Sequence, residues 1–537
     1  MNLYQYAFRQ CDSLDDVALT YIGQNITYGS LKSTISSAAM CFHALGVRRG
    51  SVVTMATAST PESIASFYAL NKMGAIPAMV DVRFRAEKIA DLMDNLDSYI
   101  LLIMGFMLRD VANSQRLLKR CQHIIVFSGA ESFPKYITVL FKFADYFNGR
   151  WIKIRKNQNI IRFEDFLNIK KHGDVNIDNQ DEYNSPVIFH TSGTTGEPKG
   201  VELSSETLND TTSISANILG EIGKTDSLLS VLPIFTLYGF ITQIHLPLSK
   251  RCKFYCVPYL KNSETFLKIL EKFKPNHVIG VHTHWSKFTN KRHDTLDLSF
   301  LKTVIFAGDR LRLSFLNSLQ NWIRDKGGHA AIINIYGMTE TGGAISMAST
   351  RRRSEHSTED GFAGWPVKNV NLKVIDGEIC VNTPRALKQY VNNVEATKEL
   401  MQTDEHGQIL IHTGDAGIIN DDGSITVTGR IKRMITYHDG SKIFPIEIED
   451  AIMRIPNIKD CAVIPIRDKE YPLCSVPCAV VVLGEGTSHS VTDIRRHLNR
   501  TLPIHYVPNL IITTQEIPHT STGKVDYAAL IAMLPLK

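Results

Sequence analysis

Between residues 16 and 110 the chain switches repeatedly between two hydrophobic periods, and this alternation limits the folds open to it. Leu31 to Leu45 places apolar residues at helical spacing and stops at Gly46. Ser51 to Ala56 is a short apolar strand pattern, Pro61 to Met73 is helical again up to Gly74, and Ile76 to Val80 is a second strand pattern. Strands alternating with helices predict parallel sheets with helices packed across their faces. The pattern returns after residue 204. Strands are predicted over Leu228–Leu232, Lys253–Val257, His277–Val281 and Thr303–Phe306, with a helix over Glu264–Phe273 ending before Pro275. From Val370 the period shortens, and Asp-Gly turns at Asp376-Gly377, Asp422-Gly423 and Asp439-Gly440 favour antiparallel hairpins. From Ile446 an α+β pattern follows, with a helix to Arg454 and strands over Cys461–Ile466 and Cys478–Val482. A chain of 537 residues exceeds what one ordinary core can organise. The expected fold is therefore α/β. Residues 1–430 form a large multi-layer N-terminal domain with parallel-rich sheets and a small β-barrel-like part, and residues 431–537 form a small α+β C-terminal domain.

Composition narrows the setting. The apolar fraction is 44% and the charged fraction 21%, as in soluble globular proteins, and the formal charge of +5 suits anionic substrates without requiring nucleic acid. Arg150-Trp-Ile-Lys-Ile-Arg-Lys within the irregular stretch from about 130 to 180 reads as a surface insertion, and Arg351-Arg-Arg353 as a solvated loop. Nine scattered cysteines lack zinc-site spacing and suit a reducing compartment. The N-terminus has no apolar core of signal-peptide length. The longest apolar run, from Tyr99, falls short of the ~18 residues that span a bilayer, so a cytoplasmic protein is expected.

Residues 190–204 carry the strongest chemical signal. Three glycines and the hydroxyls of Thr191, Ser192, Thr194, Thr195 and Ser204 surround Lys199, after the apolar run Pro186-Val-Ile-Phe. Flexible backbone lets N–H groups converge on an anion, hydroxyls add donors, and the lysine adds a point charge suited to polyphosphate. Pro198 before the lysine and Gly200 after it set this loop apart from the Gly-x-x-x-x-Gly-Lys-Ser/Thr phosphate loop. Four further stretches supply what a nucleotide would need. Asn334-Ile-Tyr-Gly-Met-Thr-Glu-Thr-Gly-Gly343 offers an aromatic for a base (Tyr336), a hydroxyl (Thr339) and a carboxylate suited to Mg²⁺ (Glu340). Asp415 in Thr413-Gly-Asp415 could accept two ribose hydroxyls. Gly429-Arg-Ile-Lys-Arg433 opens a basic connector, and Ser521-Thr-Gly-Lys524 presents a second lysine. His282 and His284 would share a side if extended, and pocket lining is favoured over metal binding because no third ligand stands near.

In this order and spacing the stretches resemble the adenylate-forming superfamily of acyl-CoA synthetases, carrier-loading adenylation domains and luciferases, from about residue 16 to the C-terminus. Asn393-Val-Glu-Ala-Thr-Lys, His412-Thr-Gly-Asp-Ala-Gly-Ile and Lys442-Ile-Phe-Pro-Ile-Glu-Ile-Glu449 are similar to the same family. The resemblance implies roles. Thr191, Ser192, Gly193, Thr194, Thr195, Gly196 and Lys199 would hold the β- and γ-phosphates of ATP. Tyr336 with Gly337 and Gly308 would border adenine, Thr339 would contact the α-phosphate, and Glu340 would ligate Mg²⁺. Asp415 and Arg430 would hold the ribose, and Lys524 would bridge the substrate carboxylate and α-phosphate. It also implies that Lys432 is the hinge on which the C-terminal domain turns, and that the turn at Gly440 admits coenzyme A.

Departures from the family bear on substrate. In Leu232-Pro-Ile-Phe-Thr-Leu-Tyr-Gly-Phe240, Thr236 stands where many acyl-CoA synthetases have histidine and amino-acid-activating relatives have aspartate at about that point. A threonine cannot neutralise a buried ammonium, so an acid without an α-amino group is favoured. Phe235, Thr236, Tyr238, Ala307 and Gly308 are the candidate acid pocket, with Leu237, Phe240 and Trp285 adding apolar character; Ala307 replaces the first of two usual glycines. The expected activity is ATP-dependent activation of a fatty or aryl acid as acyl-AMP and transfer to coenzyme A. The alternative is loading of a carrier protein; neither nucleic acid nor a transmembrane segment is expected.

Overall fold

The computed structural model describes residues 1–132, 159–169, 185–191, 198–220, 222–258, 263–285, 296–308, 312–352, 354–359, 361–436, 442–468, 471, 475–484, 489–519 and 524–534. Ser192, Gly193, Thr194, Thr195, Gly196 and Gly440 lie outside the described residues, as do the basic stretch from Arg150 and the Asp439-Gly440 turn.

Two large sheets organise the N-terminal part. One runs, in spatial order, through Gln389–Tyr390, Gly200–Leu203, Val187–His190, Ile76–Met79, Val52–Ala56, Ile100–Met104, His123–Phe127 and Ile160–Arg162. Its strands from Val187–His190 to Ile160–Arg162 pair in parallel. The other has a parallel centre of Ser227–Ser230, Lys253–Cys256, His277–Gly280, Thr303–Ala307 and Ala331–Met338. The predicted strand–helix alternation is thus realised. The helix predicted from Leu31 begins earlier, at Tyr28, because the Thr27 side chain accepts the Ser30 N–H and caps the turn. Thr60 caps Pro61–Lys72 in the same way, with proline in the first turn. The largest core cluster fills the space between and around these sheets, joining for example Leu102 of one sheet and Ile64 and Phe67 of the helix Pro61–Lys72 to Phe254 and Ile345 of the other sheet. A second cluster around Phe266, Val278, Trp285 and Trp322 covers the far side of the second sheet.

The β-barrel-like part is an antiparallel extension of the second sheet, not a separate body. Gly343–Ser349, Phe362–Pro366, Ile425–Arg430, Ile409–Ile419, Glu378–Asn382 and Asn371–Ile375 continue the strand order outward. The Asp376-Gly377 turn closes the last hairpin with φ of 50° and 81°, the paired positive values that a tight two-residue hairpin needs. Beyond residue 442 the helix Pro445–Met453 packs on the three-stranded sheet Ile458–Arg467, Ser475–Leu483 and Leu510–Thr514, over a core of its own.

Glu62, in the first turn of Pro61–Lys72, is only 3% exposed. Burial, reinforced by nearby Glu131 and opposed by the Ser132 hydroxyl that donates to it, pushes its carboxyl from the ordinary 4.5 up to about 7. A carboxyl that holds its proton more tightly folded than unfolded contributes full stability below about pH 4.5 and loses it as pH rises through about 7. Glu62→Gln is therefore expected to raise Tm at pH 8 and to leave it nearly unchanged at pH 5, read by thermal unfolding at both.

Eight free cysteines are described, and all but Cys11 are buried. Burial pushes the thiol of Cys121 up to about 12 and those of Cys380 and Cys478 up to about 11. Among the described residues no helix is long and apolar enough to cross a membrane.

Candidate active site

The Tyr336 stretch continues the strand that begins at Ala331 and remains strand through Met338. It pairs in parallel with Thr303–Ala307 and antiparallel with Gly343–Ser349, and both ladders hold it extended. Only Thr339–Thr341 turns, as one short 3₁₀ turn carrying Thr339 and Glu340. A side chain at Gly337 would place its Cβ 2.2 Å from the Gly343 carbonyl oxygen, so glycine is required for the hairpin to close.

Asp415 and Arg430 face each other across the hairpin of Ile409–Ile419 and Ile425–Arg430. The Tyr336 hydroxyl donates to one Asp415 oxygen at 2.7 Å, and Arg430 Nε lies 2.9 Å from the other. Arg430 also donates to the Thr413 carbonyl at 3.1 Å. Burial pushes the Asp415 carboxyl upward, and the charges of Arg430 and, more weakly, Lys524 together with the Tyr336 hydrogen bond oppose it. Lys524, from the far end of the chain, is thus within electrostatic reach of Asp415. Three separate motifs meet here around one buried carboxylate with a lone pair remaining on each oxygen.

Sequence reasoning missed the residue beneath that carboxylate. Glu378, next to the Asp376-Gly377 turn, accepts the Gly414 N–H at 2.7 Å on one oxygen and pairs with His412 Nδ1 at 2.8 Å on the other. Gly414 has φ of 72°, and this fixed turn aims Asp415 inward. An acid just after an Asp-Gly hairpin, opposite the predicted Thr-Gly-Asp strand, was the available signal.

At the stretch read for phosphate, Val187–His190 and Gly200–Leu203 are antiparallel neighbours, so the Gly/Thr stretch joins two paired strands. Thr191 N–H donates to the Lys199 carbonyl at 3.0 Å, and Lys199 N–H donates to the Thr191 hydroxyl at 3.2 Å, closing the base of the loop. Lys199 Nζ lies 4.9 Å from the ring centre of Tyr390. The Tyr390 hydroxyl donates to Glu340 Oε1 at 2.8 Å. Glu340 is buried, and its other oxygen has no hydrogen bond among the described residues. One free carboxylate oxygen fits Mg²⁺, which is typically held by one or two carboxylates, substrate phosphates and water.

Among the candidate acid-pocket residues, the Thr236 hydroxyl donates to the Pro233 carbonyl at 2.9 Å and accepts the Gly239 N–H at 3.0 Å, capping the helical run that begins at Leu237. Phe235 is buried just ahead of this cap, and the Tyr238 hydroxyl lies 3.5 Å from the Ile305 carbonyl. Ala307 ends its strand and Gly308 follows it, beside the Tyr336 strand. Trp285 is fully buried against Phe266, Trp322 and Phe306, which makes it core. His282 and His284 are not extended; His282–Trp285 is a helical turn.

Lys432 lies in the short turn Ile431–Arg433 that follows Arg430. Beyond it, Arg433 donates to Glu449 at 2.7 Å, and Arg312 of the N-terminal part reaches Asp450 at 3.7 Å and Cys461 Sγ at 4.0 Å. Glu449, Asp450 and Asp460 gather around that guanidinium.

Comparison with known proteins accords with this geometry. The family model described as AMP-binding enzyme matches residues 8–391, and that described as AMP-binding enzyme C-terminal domain matches residues 447–524. The chain is 25% identical to 4-coumarate-CoA ligase 1 of Narcissus pseudonarcissus, over 99% of this chain and 92% of that protein. It is 26% identical to 4-coumarate–CoA ligase CCL1 of Humulus lupulus, over 99% and 94%. Its fold is similar to that of the anthranilate CoA ligase AuaEII in complex with anthranoyl-AMP, with a TM-score of 0.82 and 20% identity over 99% of this chain and 97% of that one. ATP-bound MatB from Rhodopseudomonas palustris gives a TM-score of 0.82 at 20% identity over 99% and 98%. With one family model covering well over half of its length and a second covering about half of the remainder, the chain belongs to the family of AMP-binding enzymes.

Proposed function

We propose that the protein is an ATP-dependent acid–thiol ligase that activates an aryl or fatty acid lacking an α-amino group and passes it to coenzyme A in the cytoplasm. In the first step a carboxylate oxygen attacks the α-phosphorus of ATP, and the bond to the β-phosphate oxygen breaks, giving acyl-AMP and pyrophosphate. In the second, the thiol sulfur attacks the acyl carbon, the bond to AMP breaks, and the thiol proton is released. The observation that carries this reading is the meeting of Tyr336, Arg430 and the field of Lys524 at Asp415, since a ribose clamp and a C-terminal lysine are what adenylation needs in one place.

In this reading the Tyr336 ring borders adenine, Asp415 accepts the ribose hydroxyls, Thr339 contacts the α-phosphate, and Lys199 with the loop from Thr191 grips the departing phosphates. Glu340 holds Mg²⁺, which neutralises phosphate charge when bound. Lys524 stabilises the charge that builds during in-line attack. Residues 431–537 turn as a unit at Lys432, and Gly440 comes to the site for the thiol step. Thr236 leaves the pocket without a countercharge for an ammonium, and the relatives named for 4-coumarate favour the aryl class. The test is pyrophosphate release across a panel of aryl, fatty and α-amino acids, followed by thioester formation with coenzyme A. An α-amino acid as best substrate, or acylation of a carrier protein with none of coenzyme A, overturns the reading.

A further inference from the structure

The segment from Leu387 to Val391 joins two parts of the site that the sequence keeps far apart. Leu387 N–H donates to the Glu340 carbonyl at 2.8 Å, and Val391 N–H donates to the Gly200 carbonyl at 2.8 Å. Gln389 and Tyr390 pair with Glu202 and Val201 in the sheet, while Lys388 Nζ and Gln389 Nε2 both reach the Glu202 carboxylate, at 3.0 and 2.8 Å. Tyr390 stands at the centre, 6% exposed, with its ring beneath Lys199 and its hydroxyl on Glu340.

We propose that Tyr390 is a positioning residue that couples the two ends of the triphosphate site, its ring steering Lys199 and its phenol fixing the metal-binding face of Glu340. The ring's negative face attracts an ammonium and sets where Lys199 stands before nucleotide arrives. The phenol is a one-way constraint. The phenol donates to Oε1 and holds that carboxylate oxygen in place, while the other oxygen has no hydrogen bond among the described residues. Partners that orient a metal-binding carboxylate in this way typically change metal affinity 10–100-fold when removed. The ring and the hydroxyl of Tyr390 give each of the two groups its own partner.

This inference rests on the adenylation reading for the roles of Lys199 and Glu340, but its test separates the two. Binding of α,β-methylene-ATP to the full chain is measured by calorimetry with and without Mg²⁺. In Tyr390→Phe, Mg²⁺-free binding should match wild type, while the affinity gained on adding Mg²⁺ should fall about tenfold. Tyr390→Leu should lose that gain and weaken Mg²⁺-free binding as well. Glu340→Gln should lose the gain by itself, and the Tyr390→Phe, Glu340→Gln double variant should lose no more than Glu340→Gln alone. A purely structural tyrosine would lower both affinities by the same factor. Equal losses with and without Mg²⁺ in Tyr390→Phe, or a full Mg²⁺ gain retained there, overturn the proposal. If no acid yields pyrophosphate, the adenylation reading fails, yet these nucleotide affinities still decide the part played by Tyr390.

Discussion

Lys524→Ala is expected to slow acyl-adenylate formation by about a hundred- to a thousandfold, while thioester formation from preformed acyl-AMP continues near the wild-type rate. Positioned donors at a developing charge are typically worth about 3–4 kcal/mol, which sets this range. The effect is confined to one half-reaction because Lys524 is carried by the part of the chain beyond Lys432, which in the proposed cycle turns away before the thiol enters. Its electrostatic reach to Asp415 is what the adenylating arrangement of that proposed cycle requires, and Arg312 is set among Glu449, Asp450 and Asp460 at the same time. Separate assays of pyrophosphate release and of coenzyme A consumption with synthetic acyl-AMP make the comparison. Equal loss of both steps in a folded variant would exclude a turning C-terminal domain.

Asp415→Ala should be comparably damaging but should show its effect at the nucleotide. Two hydrogen bonds from a ribose to a buried, charged acceptor are worth several kcal/mol together. Removal also takes away the Asp415 contacts of the Tyr336 hydroxyl and Arg430 Nε, which border the proposed base and sugar positions. Binding of AMP is expected to weaken by about a hundredfold. Asp415→Asn, which keeps an acceptor for Tyr336 but not the charge facing Arg430, should fall between the two. Calorimetry with AMP alone is sufficient, and wild-type affinity in Asp415→Ala would remove Asp415 from the sugar site.

Some of this arrangement could be read directly from the sequence. The Asp422-Gly423 turn sits near the midpoint between Asp415 and Arg430, so a hairpin through it brings those residues opposite each other, and they pair in the ladder. The parallel strands were readable from short apolar runs between helical ones. The helical run from Leu237 to Ser249 was not, because it is buried on nearly every side and has no amphipathic period. Gly239 and Pro247 within it also argue against a helix. Tyr390 escaped for a different reason. Its partners Lys199 and Glu340 are distant in the chain, and a contact set by one strand crossing between two loops leaves no mark on local spacing. Trp285 looked like pocket lining from its neighbours but is core, since an aromatic at the end of a strand pattern reads the same in either place.

The cysteines take on a second meaning once an acyl-adenylate is made in their midst. A mixed anhydride of a carboxylic and a phosphoric acid acylates any thiolate it meets, and the thiolate, not the thiol, is the reactive form. Here burial holds Cys121, Cys252, Cys256, Cys380, Cys461 and Cys478 as protonated thiols at neutral pH. Cys380 is the instructive case, for it lies 3.6 Å from His412, three residues before Asp415, and still has its thiol pushed upward. At these six side chains the activated acyl group finds no competing thiolate, and it waits for the thiol that is delivered to it.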